Sequence, residues 1–146
     1  MEILIVVFVI LSLIGSISFL KPSKKMKALS AIRHIASKEG FKIGSTQILR
    51  KKFKSWTPQV AIYQIKNDSS FKDMHFVREG NALILYAPMS LKYDKQFLVI
   101  QEKILLLPNS VLEIIFFQSN IAIVWNEMQG HEELLNIKTA ILNISN

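Results

Sequence analysis

The sequence predicts an α+β protein: an N-terminal transmembrane helix, an amphipathic helix, a mostly antiparallel sheet of about seven strands and a C-terminal helix. Three observations predict it. An uncharged apolar run opens the chain, a lysine-rich segment of helical period follows, and after Gly40 the pattern changes to short β-branched and aromatic runs divided by turn residues. The 146 residues suit one domain, organised as an anchor (1–20), a basic juxtamembrane helix (21–40) and a sheet-rich domain with its closing helix (41–146).

Ile3 to Leu20 carries no charge over eighteen residues. At 1.5 Å per residue such a helix measures about 27 Å, close to the thickness of the hydrocarbon core of a bilayer. Ser16-Ile17-Ser18 also offers the small-x-small pattern of a cleaved signal peptide, but only Met1 and Glu2 precede the run, and lysines follow it at once. Retention as an anchor is the expectation. Lys21, Lys24, Lys25 and Lys27 then place the C-terminal side in the cytoplasm by the positive-inside rule, with the N-terminus outside a bacterial inner membrane. Ser12, Gly15 and Ser16 put small side chains on the anchor, where another helix could pack closely.

Charge is distributed unevenly. Residues 21–54 hold eleven basic side chains against one acid, Glu39, whereas residues 55–146 hold seven against nine, so the net charge of +7 is a juxtamembrane property. Pro22 ends the first helix and Ser23 can cap the next, over Lys24–Lys38, in which Met26, Leu29, Ile32, Ile35 and Ala36 form an apolar stripe. That stripe is expected to pack on the sheet while the lysines meet solvent or anionic headgroups.

The predicted strands are 41–49, 59–66, 74–78, 82–87, 97–106, 111–118 and 121–127. Glu79-Gly80-Asn81 and Ser119-Asn120 read as hairpin turns and Asn67-Asp68-Ser69-Ser70 as a longer loop, which together imply an antiparallel meander. A helix over 131–144, with His131, Glu132 and Glu133 in its first turn, closes the chain. Strands followed by one helix fit either a sandwich or a pleckstrin-homology-like barrel.

No catalytic constellation stands out. His34, His75 and His131 each lack a second ligand at metal spacing, the five glycines are isolated, there is no cysteine, and no nucleophile elbow occurs. Neither a metal nor a cofactor is expected. The segment Arg50-Lys51-Lys52-Phe53-Lys54-Ser55-Trp56 interleaves cations with aromatic rings, a pattern suited to nucleic acid or to a membrane interface. Beside an anchor the membrane is the expected contact, with Phe53 and Trp56 at headgroup depth, and nucleic acid is not an expected partner. Trp125, in a strand of alternating side chains, is expected in the core or half-buried.

From the apolar run through Lys21-Pro22-Ser23-Lys24-Lys25-Met26-Lys27, the chain resembles the start of the YajC family, accessory subunits of the bacterial preprotein translocase. The likeness covers about residues 3–27. Beyond Gly40 the family's glycine-rich segment is absent and a longer domain takes its place. As a whole the chain is similar to small proteobacterial single-span membrane proteins labelled YajC-like, in which a late strand leads through a segment such as Gly130-His131-Glu132-Glu133 into a final helix. The resemblance implies a location and a non-enzymatic accessory or scaffold role among other inner-membrane subunits. A membrane-anchored lipid- or ligand-binding module is the alternative.

Overall fold

The computed structural model describes residues 1–44 and 46–146, the side chain of Met128 excepted. Helix α1 (Glu2–Phe19) buries none of its residues against the rest of the chain, and it is long and apolar enough to cross a membrane. Pro22 interrupts it, and α2 (Lys24–Lys38) begins where the Ser23 hydroxyl accepts the Met26 N–H at 3.2 Å. The stripe on α2 packs as its spacing predicts, with Ile32 and Ala36 buried.

The first predicted strand survives only as β1 (Lys42–Ile43). Gly44, at φ +106°, turns the chain, and Thr46 caps a short helix, α3 (Gln47–Lys52), by accepting the Leu49 N–H at 3.2 Å. Ser45, within that predicted strand, lies outside the described residues. Strands β2 (Ala61–Lys66), β3 (Met74–Glu79) and β4 (Ala82–Ala87) follow as predicted, the last two joined at Gly80, whose φ of +60° a side chain would resist.

Residues 97–106 form no strand. Asp94 accepts the Gln96 N–H at 3.0 Å and starts α4 (Lys95–Ile104), reached through the 3-10 turn Met89–Tyr93. The run Phe-Leu-Val-Ile looks β-forming by composition, yet Phe97, Ile100, Ile104 and Leu107 recur every three or four residues and are the ones turned inward. Burial of a helical stripe outweighs the weak strand preference of its residues. The chain ends with β5 (Val111–Phe116), β6 (Asn120–Trp125) and α5 (His131–Ser145).

Among the described residues the sheet is therefore six-stranded, all antiparallel, in the order β1-β2-β6-β5-β3-β4. It is not a meander, because the β5–β6 hairpin inserts between β2 and β3. Nor do these residues form a sandwich or closed barrel: the predicted strand 97–106 is a helix, and the edges β1 and β4 stand at opposite ends of one open sheet.

One face of the sheet packs against α2, α4 and α5 around the main core, which includes Tyr63, Phe76, Phe116, Ile123, Trp125 and Ile137. Trp125 is fully buried there. The other face carries a smaller core of Phe53, Ile62, Ile115, Ala122 and Val124, with Leu49, Trp56 and Phe117 packed against it, so that α3 and the segment after it roof β2, β6 and β5. Over β3 and β4 this second face is open, leaving Ile84 41% and Tyr86 44% exposed.

Candidate functional site: the aromatic and basic face

Glu113 organises the second face. Strict alternation along β5 would send it into the main core, but the register slips between Val111 and Glu113, so Leu112 and Glu113 both serve the second face before Ile114 returns to the first. The carboxylate is fully buried. It accepts the Lys54 N–H at 3.0 Å on both oxygens and the Ser55 N–H at 2.7 Å, while His75 Nε2 meets Oε1. Burial pushes the Glu113 pKa up, but the His75 hydrogen bond and the two backbone donors outweigh it and hold the group below its ordinary range. An ionised carboxylate thus fastens the basic segment to the sheet.

The fastened segment lays its cations over rings. Arg50 Cζ lies 4.8 Å from the Trp56 centroid, Lys52 Nζ 4.9 Å from Phe117 and Lys54 Nζ 4.0 Å from Tyr86, and the Tyr86 ring in turn stands edge-on to His75 at 5.0 Å. Lys51 points to solvent. Phe53, expected at headgroup depth, is 6% exposed and belongs to the small core, because anchoring of Lys54 and Ser55 by Glu113 turns its ring under the segment. Trp56 is half-buried.

The remaining predicted residues lie elsewhere. Lys21, Lys24, Lys25 and Lys27 are exposed at the α1–α2 junction and the start of α2, which packs with α5 on the main-core side; the Arg50–Trp56 segment is on the opposite face of the sheet. The fold therefore does not merge the two basic clusters into one patch. Ser12, Gly15 and Ser16 lie on α1, where the Ser16 hydroxyl donates to the Ser12 carbonyl at 2.8 Å.

A second buried carboxylate ties α2 to the domain. Glu127 accepts Arg33 Nε at 2.9 Å and Arg33 Nη2 at 3.0 Å, and the buried Tyr63 hydroxyl donates to Oε1 at 2.7 Å. Burial first and Glu127 second push the Tyr63 hydroxyl well above its ordinary pKa, while the Glu127 hydrogen bond raises that of Arg33. Lys138 on α5 reaches Glu39 at the end of α2 at 2.6 Å.

Sequence spacing could not reveal either cluster. His75 and Glu113 stand 38 residues apart, and Arg33 and Glu127 stand 94 apart. The available signal was a single acid inside the apolar run Val111-Leu112-Glu113-Ile114-Ile115-Phe116, since a buried carboxylate must find partners. Chemically, His75–Glu113 is a His–carboxylate pair locked into a structural junction. Among the described residues no three His, Asp or Glu side chains gather to hold a metal ion. No known protein family, curated protein or solved structure matches the chain.

Proposed function

We propose that the chain is a non-enzymatic accessory or scaffold subunit of a bacterial inner-membrane protein complex, anchored by α1 with its N-terminus outside and its domain on the cytoplasmic side. The observation that carries this reading is the coupling of an unburied apolar helix to a helix fixed in the domain. α1 leaves all its large apolar side chains outside the fold, and only residues 20–23 separate it from α2, which Arg33–Glu127 and Lys138–Glu39 hold in place. Such an arrangement keeps the domain close to the bilayer and offers two points of attachment to neighbouring subunits, α1 in the membrane and the domain beside it. The exposed Lys21, Lys24, Lys25 and Lys27 suit anionic headgroups, each worth about 1 kcal/mol near the surface. The likeness of residues 3–27 to the YajC family points to the same class of role.

Two measurements test the reading. Cross-linking of the intact chain in native membranes, followed by gentle detergent extraction, should recover a heterologous subunit in defined proportion; recovery of this chain without one refutes the accessory role. The chain has no cysteine, so a thiol placed at the exposed Thr139 should react with an impermeant maleimide only after the inner membrane is opened. Labelling of intact spheroplasts overturns the orientation.

A further inference from the structure

The edge strand β4 lacks the devices that usually keep such edges from pairing. Ala82-Leu83-Ile84-Leu85-Tyr86-Ala87 contains no charge, and nothing among the described residues pairs with its outer side. Free edges are usually protected by lysine, by inward charges or by a cover. Here Ile84 and Tyr86 instead line an open groove of about 500 Å³ together with Lys54, Val77, Met89 and Lys92. Its charges are polar along the strand. Glu79 sits opposite Ala82 at the N-terminal end of β4, whereas Lys54 lies over Tyr86 and Lys92 follows the strand at its C-terminal end.

We infer that the outer edge of β4 pairs with β4 of a second copy of the same chain, in an antiparallel, two-fold pairing that continues the sheet, and with it the groove, from one protomer into the next. A two-fold axis through the middle of β4 brings the acidic end of one strand beside the basic end of the other, so the groove is complementary to itself. Ile84 and Tyr86 of the two copies then cover one another on the second face. A foreign acidic peptide would meet Glu79 at one end and is the poorer fit. A six-residue strand is small beside the roughly 800 Å² that each partner buries in a stable soluble interface. Anchoring both copies in one bilayer raises their effective concentration and lets a small interface suffice.

The inference rests on the anchor of the proposed function but not on its heterologous partner. The test uses the purified full chain in liposomes of zwitterionic and anionic lipid, where no other subunit is present, with donor and acceptor dyes on Thr139→Cys. Energy transfer should exceed that of random proximity. Ile84→Lys should lower the association constant about tenfold with unchanged thermal unfolding, as should Glu79→Lys or Lys92→Glu alone by like-charge contact across the axis. The exchange Glu79→Lys with Lys92→Glu should restore it. Transfer at the random level in the wild-type chain overturns the inference. So does transfer unaffected by Ile84→Lys but abolished by Gly15→Leu, which would assign association to α1, or failure of the charge exchange to rescue. None of these results would touch the accessory role, which cross-linking in native membranes decides.

Discussion

Replacing Glu113 by Gln preserves the shape of the side chain and removes the charge on which three donor groups converge. Lys54 N–H and Ser55 N–H, at 2.7 to 3.0 Å, and His75 all address a fully buried carboxylate. The amide oxygen can still accept from both backbone N–H groups, and its NH2 then faces His75 Nε2, which must take the tautomer that accepts, so that every one of these hydrogen bonds loses its charge assistance. Loss of charge assistance from three buried hydrogen bonds, about 1 kcal/mol each, amounts to about 3 kcal/mol at pH 7. For a domain of this size that is a fall in Tm of about 10 °C. The full chain in detergent micelles, followed by tryptophan fluorescence on heating, gives the number. Trp56 reports the fastened segment and Trp125 the main core, so the Trp56 signal, isolated in a Trp125→Phe background, should be lost first. The pH dependence has a definite sign. Because Glu113 titrates lower in the folded chain than in the unfolded one, its stabilising contribution is complete above the ordinary Glu value near 4.3 and is lost as pH falls through the depressed folded value. The gap in Tm between wild type and Glu113→Gln should therefore be full at pH 7 and narrow progressively as pH falls below the ordinary Glu value near 4.3. A gap under about 2 °C at pH 7, or one unchanged down to pH 3, would refute the assignment of Glu113 as an ionised fastener.

Four other substitutions test other parts of the fold. Glu127→Ala leaves the buried Tyr63 hydroxyl and Arg33 without their acceptor and should cost about 3 kcal/mol, whereas Arg33→Ala, whose side chain is 49% exposed, should cost about 1 kcal/mol; equal losses in thermal unfolding would contradict the shared role of Tyr63. Phe53→Ala should destabilise by about 3 kcal/mol as a core truncation and leave the salt dependence of binding to anionic vesicles unchanged, and the reverse pattern would return Phe53 to the membrane surface. Asp94→Ala removes the cap of α4 and should lower stability by about 1 kcal/mol, with faster amide exchange over 95–98; no change at those amides would argue against the helix.

Helices with a long period and explicit ends were legible in the sequence. α1, α2 with its Ser23 cap, and α5 all follow from patterns within one segment, as do β4 and the turn at Gly80, because local sterics and hydrophobic spacing decide them. Residues 97–106 show where local reading fails: a run of Leu, Val and Ile is compatible with either period, and only the other elements select which side chains face inward. The sheet order is of the same kind, since the insertion of β5 and β6 between β2 and β3 depends on packing among distant segments.

The candidate site divides along the same line. By itself the sequence determined that an apolar span precedes a strongly basic stretch and that cations alternate with aromatic rings over 50–56, because composition and neighbour spacing are local properties. Only the tertiary structure decided that Phe53 lies inside, that Arg50, Lys52 and Lys54 each cover a ring, and that the lysines after α1 sit on the other face of the sheet. The physical reason is one buried charge. Glu113 can be kept ionised in the interior only by donors gathered from the 54–55 backbone and from His75, and bringing them there sets the position of the whole basic segment.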